Sequence, residues 1–258
     1  MKKEYLKNKS MAGHSHWAGI KHKKGKQDKE RSKIFSKLSR EITVAAKLGA
    51  KDPDSNPRLR TAIQAAKESN MPKDNIERAI KKGEGNDPDS NYEEVRYEGY
   101  GPDGIAIIVE AMTNNKNRTA AEIRSIFSKS GGSLGESGSV SFGFKRLGAI
   151  TLDKNLATEE ELFDFVVENG SEDLETNQDD YVIYCEQVNL HLLNEKIILK
   201  FGKTISSELI WKCATAIDVE KESAEKLFKL LNSLEDNEDV QGVSSNFEVS
   251  DEILNSLT

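Results

Sequence analysis

Residues 149–213 read AITLDKNLATEEELFDFVVENGSEDLETNQDDYVIYCEQVNLHLLNEKIILKFGKTISSELIWKC. The apolar stretch from Ala149 to Leu152 predicts a strand. Thr158 followed by Glu159, Glu160 and Glu161 is a helix start, with acids where the helix dipole favours them, so a helix is expected over Glu159–Glu168. A strand near Leu174 and another over Tyr181–Cys185 follow. A helix over Leu190–Phe201 and a strand over Ile205–Cys213, with Ile205, Leu209 and Trp211 at alternate positions, complete the unit. The order is βαββαβ, the ferredoxin-like pattern.

Upstream of this unit, strands are expected over Val95–Tyr100 and Ile105–Met112. They are joined by Gly101-Pro102-Asp103-Gly104, a turn sequence. A helix follows over about Arg118–Ser130, with Ala120, Ile123 and Phe127 inward, and then a strand in which Val140, Phe142 and Phe144 alternate with small residues. This stretch lacks a closing helix–strand pair, and the C-terminus holds a spare one: a helix over Glu222–Leu234 and a strand over Val240–Phe247. We therefore expect 149–217 to be inserted into a second ferredoxin-like α/β domain made of 91–148 and 218–258.

Ahead of these lie a basic flexible segment, 1–28, and a helical bundle domain, 29–90. Ile34, Leu38, Ile42 and Ala45 recur at helical spacing between about Lys29 and Leu48. Gly49 and Asp52-Pro53 end that helix, and Asn56-Pro57 starts a second, buried at Leu59, Ile63 and Ala66. Pro72 starts a third, with Ile76 and Ile80 inward and Gly83 as its stop. The fold class is α+β: an N-terminal three-helix domain followed by two ferredoxin-like α/β domains, one inserted in the other.

The 258 residues carry 37 Lys+Arg and 44 Asp+Glu, a formal charge of −7. The charge is unevenly spread: residues 1–90 hold 22 Lys+Arg against 12 Asp+Glu, a net of +10, and the remainder is −17. Such asymmetry points to a basic module for nucleic acid or a membrane surface joined to an acidic remainder. No apolar run approaches the roughly 18 residues of a membrane span. On the first helix, Lys29, Lys33, Lys37, Arg40 and Lys47 fall within an arc of about 80°, roughly opposite the apolar stripe. The expectation is a row of cations aimed at solvent and at phosphates. Lys21, His22, Lys23, Lys24 and Lys26 before it, and Arg58 and Arg60 after it, extend the candidate nucleic-acid surface.

Catalytic chemistry is not indicated. His14, His16 and His22 lack a Cys or carboxylate cluster to complete a metal site, and a metal-dependent hydrolase using them is a minor alternative. The glycine-rich run 131–138 lacks the Gly-Lys-Ser/Thr ending of a nucleotide loop and reads as a helix stop plus a hairpin. Cys185, with His191 in the following helix, reads as strand packing rather than a nucleophile. Neither a cofactor nor a metal is expected. In the segment 113–119, Asn and Thr are helix caps, while Asn117, Arg118 and nearby Arg124 are candidates for a phosphate contact; both readings stand. Cys185 and Cys213 are too few to staple this chain and read as reduced thiols, consistent with a cytoplasmic protein. Met1–Ser10 has no apolar core of a signal peptide, lacks Arg and carries Glu4, a poor match to a mitochondrial leader.

Taken together, several stretches resemble the YebC/PmpR family, including its relatives among mitochondrial translational activators of cytochrome c oxidase. They are Met11-Ala12-Gly13-His14-Ser15, Lys21-His22-Lys23-Lys24, Lys33-Ile34-Phe35, Ala45-Ala46-Lys47-Leu48-Gly49, Asn56-Pro57-Arg58-Leu59-Arg60, Asn70-Met71-Pro72, Tyr97-Glu98-Gly99-Tyr100-Gly101-Pro102 and Asn117-Arg118-Thr119. The resemblance covers 11–258; residues 1–10 fall outside it, and His16 stands where relatives usually carry Lys. It implies three domains and a non-enzymatic regulator of gene expression, either a DNA-binding transcriptional regulator or a ribosome-associated translation factor. The implied partner is ribosomal RNA or DNA, with ribosomal proteins as further candidates, no membrane, and the mitochondrial matrix as an alternative location.

Overall fold

The computed structural model describes residues 27–85, 91–250 and 253. Helix α1 (Gln27–Leu48) packs against α2 (Pro57–Glu68) and α3 (Lys73–Glu84). Their shared core joins Ile42, Leu59, Met71 and Ile76 to alanines at 45, 46, 62, 66 and 79. The small residues allow close approach of the helices. A Cβ on Gly83 would stand 2.4 Å from the Thr43 carbonyl oxygen, and the Thr43 hydroxyl donates to the Ala79 carbonyl at 3.1 Å. Gly83 is thus a packing residue inside α3, which runs one residue beyond it. Ile34, expected in the core, is 39% exposed, because the buried stripe of α1 is centred on Ile42.

Asn56 organises the first connection. Its Nδ2 donates to the carbonyls of Ala45 (2.9 Å) and Ala50 (2.7 Å), and its Oδ1 accepts from the Leu59 amide (3.0 Å). One buried amide therefore closes the end of α1 and caps α2. Pro57 sits at the first position of α2, where its missing N–H costs nothing. Pro72 instead occupies the cap position of α3.

The chain continues through β1 (Glu93–Tyr100), β2 (Ala106–Thr113), α4 (Lys116–Lys129) and β3 (Ser133–Leu134). Then come β4 (Phe144–Asp153), α5 (Glu159–Glu168), β5 (Ser171–Thr176), β6 (Asp180–Cys185), α6 (Leu190–Phe201) and β7 (Ser206–Cys213). It ends with β8 (Ile217–Asp218), α7 (Lys221–Glu235), β9 (Val240–Ser245) and β10 (Phe247–Glu248). The fold is α+β. Two compact units form: residues 142–218 with 244–248, and the remaining described residues.

In the first unit the strand order is β5-β6-β4-β7, all antiparallel, which is the ferredoxin-like arrangement. Ile150, Leu152, Ile183 and Cys185 of the sheet meet Leu162 and Val166 of α5 and Leu190, Leu193 and Ile197 of α6. Thr158 caps α5, its hydroxyl accepting from the Glu161 amide at 3.3 Å, so Glu159–Glu161 form the acidic first turn. β8 and β10 add a short parallel pair.

In the other unit the order is β3-β1-β2-β9, so a strand starting at Val240 completes a sheet begun at Glu93, 147 residues earlier. The β1–β2 hairpin runs in register from Glu93 opposite Thr113 to Tyr100 opposite Ala106. The chain order here is β-β-α-β followed by α-β.

The alternation at Val140, Phe142 and Phe144 is not a separate strand. Glu98 of β1 is buried, and one of its carboxylate oxygens accepts from the amides of both Val140 and Ser141 at 2.9 Å. Those two residues are tied back to β1. A 3-10 turn over Ser141–Gly143 follows, leaving Phe142 86% exposed, and a single strand then runs over Phe144–Asp153. Burial alone pushes the Glu98 carboxyl up. The backbone amides of Val140, Ser141 and Gly138 more than reverse this, bringing it from the ordinary 4.5 to about 2. The stabilisation is therefore complete above the unfolded value and is lost as pH falls towards the folded one. Glu98→Gln is expected to cost about 1–3 kcal/mol at neutral pH and to flatten the acid limb of stability below pH 4.5. Urea titrations across that range check both effects, and an acid limb equal to wild type would exclude this role for Glu98.

Candidate nucleic-acid interface

Three members of the α1 cation stripe, Lys33, Lys37 and Arg40, do not face open solvent, whereas Lys47 is exposed. Lys33 Nζ pairs with Asp236 Oδ1 at 2.5 Å. Lys33 and Lys37 line a cleft of about 200 Å³ whose other wall is Glu235, Asp236, Asn237 and Glu238, the turn after α7. Arg40 is the most enclosed, its side chain 15% exposed. It donates to Asp239 Oδ1 at 2.8 Å, to the Met112 carbonyl at 3.3 Å and to the Glu238 carbonyl. Lys47 donates to the Asn91 side chain. Arg58 forks onto Glu41 at 2.7 and 2.9 Å and reaches Glu94 at 2.5 Å, and these carboxylates hold its guanidinium charge more firmly than usual. Arg60 is exposed and donates to the Asp54 carbonyl at 3.3 Å. The expectation of a solvent-facing stripe is thus corrected at Lys33, Lys37 and Arg40. The side of α1 opposite its apolar stripe is covered by the acidic turn 235–239, which a helical projection of α1 alone does not contain.

Asp239 is the centre of this contact. Besides Arg40, its carboxylate accepts from Arg118 Nη2 (2.8 Å), Thr113 Oγ1 (3.1 Å) and Thr119 Oγ1 (2.6 Å). Burial alone raises such a carboxyl, but the Thr119 and Arg118 hydrogen bonds and the nearby guanidinium charges bring it below its usual value. At the start of α4 the cap is Asn115, whose Oδ1 accepts from the Arg118 amide at 3.1 Å. The Arg118 guanidinium is thereby engaged by a carboxylate of the chain itself. Asn117 and Arg124 are exposed.

Lys21, His22, Lys23, Lys24 and Lys26, with His14 and His16, lie outside the described residues; Lys29 lies on α1, but its side chain is outside them. Among the described residues no group of three or more metal-ligating side chains occurs, and no helix is long and apolar enough to cross a membrane. Cys185 is fully buried in its sheet, where desolvation pushes the thiol up to about 11, far from a reactive thiolate. The glycine run after α4 forms a helix stop and then β3, which pairs with β1; Gly131 and Gly138 have φ of +78° and +90°.

A second face of α1 is different. Between α1 and α3 runs an open groove of about 990 Å³; among the described residues it is lined by five cations, Arg31, Arg40, Arg78, Lys81 and Lys82, and by no carboxylate. The two helices run in the same direction. Arg31 reaches the Asn70 carbonyl (3.4 Å) just before α3, and Gly83 lies against Thr43 and Ala46. Among the described residues Arg31, Arg78, Lys81 and Lys82 make no ion pair, and all four are exposed. None of the four belongs to the cation stripe expected on α1. The available signal was the spacing of Arg78, Lys81 and Lys82 on one side of the third helix, away from Ile76 and Ile80.

Residues 15–86 match the family model of the TACO1/YebC protein N-terminal domain, and residues 92–247 match that of the TACO1/YebC second and third domain. The chain belongs to the TACO1/YebC family. Neither description of TACO1/YebC domains names a reaction. A crystal structure of a conserved hypothetical protein of Aquifex aeolicus is also similar, at 46% identity and a TM-score of 0.84 over 93% of this chain and 99% of that one. The first TACO1/YebC model spans the groove-bearing helices together with part of the basic segment before them.

The two kinds of cation are expected to differ in what they support. Asp239→Ala strands Arg40 without its carboxylate and should cost about 3–5 kcal/mol. Lys33→Ala removes a more exposed pair and should cost under about 1 kcal/mol. Chemical denaturation of both variants checks the contrast.

Proposed function

We propose that the protein is a non-enzymatic, nucleic-acid-binding regulator of gene expression, and that it acts as a translation factor on the ribosome by contacting ribosomal RNA. The observation that carries this is the carboxylate-free groove, with four cations that have no acidic partner among the described residues. Exposed cations gathered on a concave surface release counterions when they meet phosphates, which is the source of sequence-independent affinity. The remainder of the chain is strongly acidic, so phosphate contact is confined to the N-terminal part. Ribosomal proteins, which are basic, suit that remainder as secondary partners. The site of action is the cytoplasm, with the matrix of mitochondria as the alternative compartment.

Promoter recognition is the second reading. It calls for a helix that stands clear of its neighbours to enter a major groove. Helix α3 is the basic candidate, and it directs Arg78, Lys81 and Lys82 to the groove it shares with α1. That arrangement favours RNA over operator DNA.

On sucrose gradients at low salt the protein is expected to travel with ribosomes and to be released as salt rises. With four phosphate contacts, log K should fall against log salt with a slope of roughly −3 to −4. Protein that stays at the top of the gradient at low salt would overturn the proposal.

A further inference from the structure

We infer that the groove between α1 and α3 is a binding track for a single RNA strand. The inference rests on the nucleic-acid reading above and gives that site its ligand. The two walls differ in chemistry. Along α1, Ser32, Ser36 and Ser39 recur at helical spacing and line the groove. Along α3 the lining is Arg78, Lys81 and Lys82. A row of hydroxyls therefore faces a row of cations across an apolar floor that includes Phe35, Met71 and Ala79.

Each part matches one part of a polynucleotide strand. The cations meet phosphates, and Arg78 and Lys82 are separated by about 6 Å along the axis of their helix. That rise is comparable to the phosphate-to-phosphate step of an unstacked strand. Serine hydroxyls both donate and accept, as a ribose 2′-hydroxyl does. At one end the Arg31 guanidinium lies over the Phe35 ring, 5.4 Å from its centroid. Such a plane is a stacking platform for an unpaired base. At the other end Arg40 and Lys82 each lie 5.5 Å from the Tyr92 ring centroid, which fixes that wall.

Concavity decides between one strand and two. A duplex keeps its bases paired and stacked inside, whereas the bases of an open strand can enter a recess and stack on its apolar and guanidinium surfaces. The volume, about 990 Å³, is at the top of the range of about 300–1,000 Å³ for ligand clefts, enough for a few nucleotides of one strand.

The test is fluorescence anisotropy of the full chain with a short unstructured RNA, against the triple variant Arg78→Ala, Lys81→Ala, Lys82→Ala. These side chains are exposed and make no ion pair among the described residues, so native circular dichroism is expected. The variant should lose at least about tenfold in affinity, and its salt slope should shrink by about 2, from roughly 0.7 per phosphate contact on a single strand. The same RNA as a duplex, whose bases cannot reach the groove floor, should compete at least about tenfold more weakly. A control, Lys67→Ala with Lys73→Ala, alters exposed lysines outside the groove and should leave binding within about twofold. Undiminished binding by the triple variant, equal competition by the duplex, or an equal loss in the control would each overturn the inference. Ribosome co-sedimentation that persists alongside any of these would leave the broader reading standing. Wild-type protein that binds neither RNA nor ribosomes would end both.

Discussion

The carboxylate of Asp239 holds together parts of the chain that are far apart in sequence. A buried charge is tolerated only when it is paired and fully hydrogen-bonded, and here the four donors come from three segments. Arg40 comes from the bundle, Thr113 from the end of β2, and Arg118 and Thr119 from the start of α4. Asp239 itself immediately precedes β9, the strand that completes the sheet beside β2, and its own carbonyl accepts from the Met112 amide at 2.8 Å. The chain thus returns from residues 142–218 and seals its sheet at the same place where α1 is fastened to that sheet.

This constraint gives α1 two electrostatically distinct faces. On one, Lys33 and Arg40 are matched by Asp236 and Asp239 within the molecule. On the other, Arg31 joins Arg78, Lys81 and Lys82 of α3, and among the described residues no carboxylate lines the groove between them. The acidic character of the later residues therefore does more than offset the basic N-terminal part. It neutralises one set of cations and leaves another set without an ion pair among the described residues. Glu98 plays a comparable structural part elsewhere, its carboxylate holding the amides of Val140 and Ser141 to β1.

Much of the fold was legible because the signals are local. Asn56-Pro57 begins α2, Thr158 begins α5, and the βαββαβ succession reappears as the antiparallel order β5-β6-β4-β7. Where the expectation differed, a distant residue was responsible. Val140 and Phe142 alternate like a strand, yet Glu98, 42 residues earlier, takes the Val140 amide out of any ladder. Leu209 keeps the expected face of β7, opposite Gly148, but remains 40% exposed because β7 is a sheet edge. The segment 113–119 was open equally to caps and to a phosphate contact, and its Arg118 and Thr119 side chains serve Asp239, 121 residues after Arg118.

By itself, the sequence determined the elements, the order in which they come, the uneven charge and the family to which the chain belongs. Helical and strand periodicities, caps and turns act over a few residues, and they are written in those residues. The tertiary structure alone decided which cations of the bundle are available. Periodicity sets the angle of Lys33 or Arg40 about the axis of α1. Whether that angle points to water or to a carboxylate depends on Asp236, 203 residues away from Lys33, and on how α7 and β9 bring it there. The same packing brings α3 alongside α1, so that Arg31 and Lys82, unrelated in sequence, line one groove.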